Sequence, residues 1–274
     1  MDSRAATATL NNRAVIAVTG PDWRGFLQGL ISQDVETLAD GEARFGALLT
    51  PQGRLLFDLF LVGANDGCLI DCAASRAGAL IERLKIYRLR ARVEIAAAPI
   101  VVRALWGGGN APPVWNADPR LPALGYRGYD AQAPDGVEAA QQDAYEHWRL
   151  SLGVPGSEDW GDEKTYPIEA NFDLLAGIDF KKGCFVGQET TSRMKRRGGI
   201  KSRMAPIMFE GPAPPLGSEI LTGALRAGEV RSGAQDMAMA VLRLDRVQAG
   251  RLALADGRPC RVIMPDWMRA ALGA

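Results

Sequence analysis

Residues 181–199 have the sequence KKGCFVGQETTSRMKRRGG, and the pattern of the chain changes after them. Upstream of this segment, strand-like apolar stretches alternate with helical patterns, which is typical of an α+β fold with antiparallel sheets and helices. Downstream of it, short strand patterns are separated by Gly and Pro turns, which predicts a small C-terminal β-barrel or sandwich. The segment itself contains a Cys between two Gly, one Glu and six basic residues.

The upstream part contains apolar stretches of strand length that are separated by turn residues. Strands are predicted over residues 13–19, 43–50, 54–63, 67–73, 92–98 and 100–106. Helices are predicted over residues 21–31, 75–91 and 137–152. The second of these helices is expected to bury Leu80, Ile81, Leu84 and Tyr87. Residues 107–122, which are rich in Gly and Pro, are predicted to form a loop.

The length of 274 residues suits two domains of ordinary size. We expect an α+β region over residues 1–200, with two lobes of about 1–100 and 101–200, and a β-barrel domain over residues 201–274. The 32 basic and 32 acidic residues cancel, so the net charge does not indicate a general role on nucleic acids or at a membrane surface.

Four cysteines without framework spacing indicate thiols in a reducing compartment. The N-terminal stretch has no apolar run of signal-peptide length, and no stretch has the roughly 18 apolar residues of a membrane span. These features predict a cytoplasmic protein with no membrane partner. The single histidine, His147, lies in a helical pattern and is expected to be a packing or surface residue, so no histidine-based metal site or triad is expected.

Cys184 follows two lysines and precedes a stretch with helical potential. Nearby ammonium groups and a helix N-terminus both stabilise a thiolate, so one interpretation is a reactive or metal-binding thiol. The other interpretation is a small packing residue, which is the commoner state of a free cysteine. The spacing of residues leaves both interpretations open.

Glu189 and Arg193 are four residues apart in the same helical stretch, so they can form a surface ion pair. Alternatively, the Glu189 carboxylate faces a cleft and accepts hydrogen bonds from an N–H and an exocyclic amino group, as a pterin or guanine presents them. Residues 181–203 carry eight cations against this one acid. They form either a solvated surface or an anion site for a nucleic-acid backbone, a phosphate or a polycarboxylate tail.

The stretch KKGCFVGQE resembles the K-G-C-x-x-G-Q-E signature of the YgfZ folate-binding proteins, a family that includes mitochondrial iron–sulfur maturation factors. The resemblance extends to FLQGLISQDV at 26–35, LLTPQGRLLFDLFL at 48–61 and YPIEANFDLLAGIDF at 166–180. These proteins are similar in fold to the T-protein of the glycine cleavage system, a tetrahydrofolate-dependent aminomethyltransferase. The resemblance therefore implies a T-protein-like folate-binding fold over most of residues 10–205, followed by a β-barrel.

The resemblance also assigns roles to residues. Cys184 matches the signature cysteine that the family needs for function, and Glu189 matches the signature glutamate, which is expected to bind the pterin. Asp58 matches the folate-facing catalytic aspartate of the T-protein, and keeping an acid there is typical of the mitochondrial subgroup. Its alternation with neighbouring apolar residues is suited to a strand residue that faces a cleft, and the alternative is a solvent-facing acid on an amphipathic strand. The other signature positions expected at the folate site are Lys182, Gly183, Gly187, Gln188 and Arg193.

Three polar residues just upstream of the signature are further candidates for the same cleft: Tyr166, Glu169 and Asn171. The Tyr166 ring is suited to stacking on a flat ligand. Ordinary loop polarity is the alternative for all three. The cations of residues 181–203 are expected to hold the glutamate tail of folate.

Three functions are compatible with these observations. The leading hypothesis is a tetrahydrofolate-binding accessory protein for the assembly or repair of iron–sulfur enzymes, in which Cys184 and a partner protein ligate a cluster transiently. Its expected partners are folate and iron–sulfur assembly or client proteins. The second is a folate-dependent aminomethyl or one-carbon transferase that uses Asp58, although the full catalytic set of the T-protein is not evident. The weakest is an RNA-binding module that uses the basic segment.

Overall fold

The computed structural model describes residues 4–108, 111–160, 163–247 and 251–272. The chain forms two compact units, one of Met1–Tyr145 with Leu175–Gln188 and the other of Glu146–Leu174 with Glu189–Ala274. The expected domain boundary near residue 200 separates residues 1–200 from residues 201–274. That these two parts fold independently stays a prediction.

The described residues contain short strands and helices, named here in chain order. The strands are β1 Ala6–Thr9, β2 Arg13–Thr19, β3 Ala43–Leu49, β4 Leu55–Ala64, β5 Gly67–Ala73, β6 Glu94–Ala98, β7 Val102–Trp106, β8 Trp115–Ala117, β9 Tyr126–Tyr129, β10 Glu138–Ala139, β11 Ser202–Phe209, β12 Glu219–Thr222, β13 Leu225–Ala234, β14 Met237–Arg243, β15 Leu252–Leu254 and β16 Pro259–Val262. The helices are α1 Trp23–Gln28, α2 Ala77–Arg88, α3 Gln142–Ser151, α4 Gln188–Arg197, α5 Leu244–Val247 and α6 Asp266–Leu272.

The first unit contains an antiparallel sheet with the strand order β3-β4-β5-β2-β6. Helices α1 and α2 contribute apolar side chains to a core with this sheet, including Trp23, Leu27, Leu80 and Leu84. Each such side chain contributes about 1.5–3 kcal/mol when it is fully removed from water. The predicted buried side of α2 is therefore confirmed.

A second sheet, with the strand order β10-β1-β7-β9-β8, belongs to the same unit. Strand β4 is buried over all but its last residue, which shows that both faces of the first sheet are covered. Side chains of β5 and β9 meet between the two sheets, where Arg127 donates to Asp71. The α+β class is confirmed, and the helices and the second sheet account for the two covered faces.

The prediction of a loop over residues 107–122 is wrong, because β8 lies within it and pairs with β9. A strand of three residues between Gly and Pro turns leaves almost no periodic signal. Its position depends on a distant residue: a Cβ on Gly128 would lie 2.9 Å from the Trp115 ring. The missing side chain at Gly128 leaves the space that the Trp115 ring fills.

The C-terminal part of the second unit is a closed barrel with the strand order β11-β14-β13-β12-β15-β16, in which β16 pairs back to β11. Its core includes Ile207, Ile220, Val230 and Leu254, and Met268 of α6 packs into the same cluster. The predicted barrel is confirmed. Within it, β12 and β13 form a hairpin, in which the chain turns at Gly223, which has a φ of 58°.

Among the described residues, no helix has both the length and the apolar character needed to cross a membrane.

Candidate functional site

The signature segment begins as an irregular turn in the first unit and continues into α4. Phe185 is buried, and Val186 packs against the core under the first sheet. Lys181, Gly183 and Cys184 are exposed. The turn therefore presents the Cys184 thiol to solvent, and the packing interpretation of this cysteine is wrong.

The ammonium group of Lys182 is hydrogen-bonded to main-chain carbonyl groups. Its Nζ donates hydrogen bonds to the carbonyl oxygens of Gln28, Ile31 and Gln33, at 2.8, 2.6 and 2.8 Å. Burial lowers the pKa of Lys182 to about 8, although Asp34, Asp179 and Glu36 act in the opposite direction. At pH 7 the side chain is therefore a charged ammonium with three backbone acceptors.

The loop that follows α1 is also joined to residues 176–179 by other bonds. Ser32 Oγ donates to the Gly177 carbonyl at 2.6 Å, and the Asp179 N–H donates to the Ser32 carbonyl at 2.9 Å. Gln33 Nε2 donates to the Ala176 carbonyl at 2.7 Å. Two stretches that the sequence separates by more than 140 residues thus form one structure around the start of the signature.

The two glycines of the signature have different surroundings. Gly187 has a φ of 81°, and a Cβ there would lie 2.6 Å from the Thr50 carbonyl oxygen and 2.9 Å from the Gly53 Cα. Gly187 therefore allows the signature to pack closely against the turn between β3 and β4. A Cβ on Gly183 would meet no atom within 4 Å, so close packing does not require a glycine at position 183. Binding of folate by either glycine stays a prediction.

The other cysteines have lower access to solvent. Cys68 and Cys72 are buried, and burial raises the pKa of each to about 12. Cys260 is half-buried, and burial raises its pKa to about 11. At pH 8 these three thiols stay protonated, whereas Cys184 lies at the surface.

We expect iodoacetamide at pH 8 to modify Cys184 at least about tenfold faster than the other three cysteines, because alkylation requires an accessible thiolate. Peptide mass spectrometry of timed samples measures the four rates. A Cys184→Ser variant should lose the fast phase and keep the slow ones. Comparable labelling of Cys260 and Cys184 would contradict this assignment of accessibility.

Asp58 lies on β4 and points between the two sheets of the first unit rather than into an open cleft. Its carboxylate accepts a hydrogen bond from Arg13 Nη1 at 2.9 Å, and both side chains are 7% exposed. Arg13 also binds Asp71 through Nε at 2.6 Å. Although burial alone would lower it, Asp71 and Asp58 together raise the pKa of Arg13, so this side chain remains a cation beside Asp58.

The ion pair of Asp58 is part of a larger buried network of three aspartates and three arginines, none of which the sequence patterns singled out except Asp58. Arg127 donates to Asp71 at 2.8 Å and to Asp118 at 3.2 Å. Arg120 donates to Asp118 at 2.8 Å, which completes the set. The Phe60 ring lies beside all three guanidinium groups, at 3.6–5.4 Å from its centroid.

The network is sensitive to acid. Burial raises the pKa of Asp118, but Arg120 and Arg127 outweigh that effect and hold it below the usual value of 3.8. Its stabilising contribution is therefore present above that pH and is lost as the pH falls below it. The signal that could have revealed the network is the presence of charged residues inside apolar strands, as at LLFDLF, LIDC and GYRGY.

Glu189 and Arg193 form the surface pair that their spacing allowed. The Arg193 Nη1 and the Glu189 Oε1 are 4.0 Å apart, and the side chains are 50% and 92% exposed. Gln188 begins α4, and its N–H donates to the Phe185 carbonyl at 3.2 Å. The exposed carboxylate of Glu189 is accessible to a ligand, and its recognition of a pterin stays a prediction.

The cations of residues 181–203 differ in their burial and in whether they bind protein groups. Lys182 is held by backbone carbonyls, and Arg203 is buried and binds both carboxylate oxygens of Asp173 at 2.9 and 3.0 Å. Lys195 lies 3.2 Å from the same carboxylate. The cations that remain exposed are Lys181, Arg193, Lys195, Arg196, Arg197 and Lys201. The cationic surface available to an anion is therefore smaller than the sequence count of eight suggests.

Two of the three upstream candidates, Glu169 and Asn171, form hydrogen bonds with Met204 of the first barrel strand. Asn171 is fully buried: its Nδ2 donates to the Met204 carbonyl at 2.8 Å, and its Oδ1 accepts from Arg203 at 3.1 Å. The Glu169 carboxylate accepts from the N–H of Tyr166 at 2.9 Å, which closes a local turn. Both side chains thus have structural partners, and contact of any of the three with folate stays a prediction.

In the described ranges, no group of three or more His, Cys, Asp and Glu side chains is arranged to hold a metal ion.

The fold is that of the glycine cleavage T-protein class. The crystal structure of glycine cleavage system aminomethyltransferase T from Bartonella henselae superposes with a TM-score of 0.74 over 95% of this chain and 85% of that one. Its sequence identity is 18%, so the likeness concerns the fold alone. Residues 201–270 match the model of the C-terminal β-barrel domain of CAF17.

Relatives in sequence define the family. An iron–sulfur cluster assembly factor IBA57 homolog from Mycosarcoma maydis is 30% identical over 88% of this chain and 74% of its own length. The human iron–sulfur cluster assembly factor IBA57 is 29% identical over 94% of this chain and 84% of its own length. The chain belongs to the IBA57 family of iron–sulfur cluster assembly factors, and the resemblance to mitochondrial iron–sulfur maturation factors is confirmed.

Two further relatives are longer than the matched region. The chain spans 56% of the Neurospora crassa homolog, to which it is 33% identical, and 59% of the Coccidioides immitis homolog. These relatives and the human protein are all named as mitochondrial, which contradicts the expected cytoplasmic location. The composition argument was wrong because sparse cysteines indicate a reducing environment and do not distinguish between compartments that provide one.

Proposed function

We propose that this protein is an accessory factor for iron–sulfur cluster assembly in which Cys184 ligates a cluster together with a partner protein. The observation that carries the proposal is the exposed Cys184 on a turn whose flanking residues, Lys182 and Phe185, are anchored. The names of its relatives support the same process. The remaining cluster ligands belong to the partner, which is an iron–sulfur assembly or client protein.

The chemical step is a ligand exchange. The Cys184 thiol releases its proton to solvent, and its sulfur forms a bond to iron. One thiolate of the cluster donor leaves the iron and takes up a proton, so charge and atoms balance and no electron is transferred. A single exposed thiol makes such an exchange readily reversible, as a transfer function requires.

The test uses a glutathione-ligated [2Fe–2S] cluster as the donor and follows visible absorption and circular dichroism. We expect the wild type to acquire a cluster signal, and Cys184→Ala to reduce it at least about tenfold. Cys260→Ala, which removes a half-buried thiol, is the matched control and should behave as the wild type. Equal cluster uptake by Cys184→Ala and the wild type would remove the proposal.

We further propose that the protein binds tetrahydrofolate or a derivative. The available groups fit the two ends of this ligand chemically: the exposed Glu189 carboxylate can accept from the pterin, and the exposed cations suit the glutamate tail. When bound, folate would supply a one-carbon carrier or a regulatory signal. The protein's own part is recognition by Glu189 and Arg193, with Gln188 beside them in sequence.

Calorimetric titration with tetrahydrofolate tests this second proposal. We expect Glu189→Ala to weaken binding by roughly 1.5–3 kcal/mol, since it removes hydrogen bonds to a charged acceptor. Glu158→Ala, which removes another exposed carboxylate, is the control and should bind as the wild type. Absence of binding by the wild type would exclude folate, and the cluster proposal would be unaffected.

No observation favours the transferase or the RNA-binding module. The Asp58 carboxylate is held by Arg13 at 2.9 Å, which is not the environment of a free general base. Of the eight cations expected to bind RNA, Lys182 and Arg203 are committed to protein groups.

A further inference from the structure

We infer that Lys182 is a positioning residue: it fixes the Cys184 turn to the loop of residues 28–33 and does not bind the ligand. The inference rests on the proposed function for the role of Cys184. It reassigns the signature lysine, which the resemblance placed at the folate site.

The hydrogen bonds of the ammonium group carry the inference. An ammonium has three N–H donors, and the structure gives the Lys182 Nζ three carbonyl acceptors within 2.8 Å. A folate carboxylate or a cluster thiolate could bind Lys182 only by displacing one of these carbonyls. Lys181, the adjacent lysine, is exposed and is available to a ligand.

The acceptors belong to a segment that needs such a donor. Gln28 is the last residue of α1, where the final carbonyls have no partner within the helix. The chain then makes irregular turns through Ile31 and Gln33 before β3. A cation at this end of a helix is also favoured by the helix dipole. One ammonium therefore donates hydrogen bonds to three carbonyls of this partly buried segment.

The same bonds constrain the thiol. Lys182 is anchored by its ammonium, and Phe185 is anchored by burial, with the Lys182 Nζ 5.4 Å from the Phe185 ring centroid. Gly183 and Cys184 are the residues between these two anchors. With both ends fixed, the range of positions that Cys184 can adopt is small, so a partner meets the thiol in a defined place.

Arginine cannot replace this lysine in a clamp. The three N–H bonds of an ammonium point in tetrahedral directions, whereas the five of a guanidinium lie in one plane. Three carbonyls that converge on one atom match the first geometry. A role in attracting an anion would depend on charge and would be preserved by arginine, so Lys182→Arg separates the two interpretations.

The test compares Lys182→Met, Lys182→Arg and the matched control Lys181→Met at pH 7. We expect amide hydrogen exchange over residues 28–33 and 181–188 to rise at least about tenfold in both Lys182 variants. Uptake of the glutathione-ligated [2Fe–2S] cluster should fall at least about tenfold in both. Lys181→Met should match the wild type in hydrogen exchange, because it removes the same charge without removing the clamp.

A measurement on the wild type covers the case in which a variant does not fold. In protein labelled with 15N-lysine, the hydrogens of a carbonyl-bound ammonium should exchange slowly and give a resolved signal for Lys182. The exposed Lys181 ammonium should exchange rapidly with water. A Lys182 signal that exchanges as fast as that of Lys181 would overturn the inference.

Other outcomes separate the inference from the proposed function. If Cys184→Ala abolishes cluster uptake while the separate Lys182→Arg variant takes up as much cluster as the wild type, the inference fails and the proposed function stands. If the wild type takes up no cluster through Cys184, the proposed function fails and the positioning role fails with it. Normal hydrogen exchange in Lys182→Met would also contradict the clamp.

Discussion

Replacing Gly187 by alanine is expected to destabilise the protein by about 3 kcal/mol. A left-handed backbone costs a residue with a side chain on the order of 1–3 kcal/mol, and forcing an atom into packed surroundings costs a similar amount. Both costs apply here, since the φ is 81° and the new Cβ would lie 2.6 Å from the Thr50 carbonyl oxygen. The atoms in the way are mainly backbone, so they cannot move aside as a flexible side chain could.

Urea unfolding followed by tryptophan fluorescence measures this loss, and Gly183→Ala is the matched control. The control changes the other signature glycine, at which a Cβ meets no atom within 4 Å and the φ is not left-handed. We expect its unfolding free energy to stay within about 0.5 kcal/mol of the wild type. Equal stability of the two variants would show that the signature does not pack on the turn between β3 and β4 as described.

Replacing Asp71 by asparagine is expected to cost about 3–5 kcal/mol. The Asp71 side chain is fully buried and binds both Arg13 and Arg127. Asparagine keeps the size but removes the charge, so two buried guanidinium groups lose their shared partner. Removing one member of a buried ion pair is strongly destabilising because a charge remains without compensation in a medium of low polarity.

The control is Asp22→Asn, which breaks an ion pair with Arg92 in which the arginine side chain is 74% exposed. Exposed pairs contribute little, so we expect a much smaller loss than for Asp71→Asn. Equilibrium unfolding at pH 7 compares the two variants. If Asp71→Asn were as stable as Asp22→Asn, the network between the sheets would not contribute to the stability of the first unit.

The extent to which the sequence predicts the structure depends on the range of the forces involved. Strand β2 and the buried side of α2 follow from local apolar periodicity, and both are predicted correctly. The position of β8 depends on the space above Gly128, a tertiary feature that no local pattern records. Periodicity also implies that strand residues alternate between core and solvent, which fails for β4 because both of its faces are covered.

The candidate site shows the same division. The signature identifies Cys184, and the structure places its thiol at the surface. Sequence patterns could not assign Lys182, since its three acceptors are backbone carbonyls that every residue type carries. We expected the Asp58 carboxylate to face a cleft, but it pairs with Arg13, which lies on a different strand and 45 residues away in sequence. Such pairings arise from topology, which the sequence of one chain does not display.

The closed barrel has a consequence for how this protein can associate. In a sheet with edges, exposed N–H and C=O groups can recruit a strand from another molecule. Within the described strands of the barrel, each has a neighbour on both sides, so the barrel cannot be extended in this way. The two open sheets of the first unit do end in edge strands, β3 and β6 in one and β10 and β8 in the other, and residues 31–32 already pair with part of β3. We therefore expect any strand exchange or fibril growth from the folded state to start at the sheet edges of the first unit and not at the barrel.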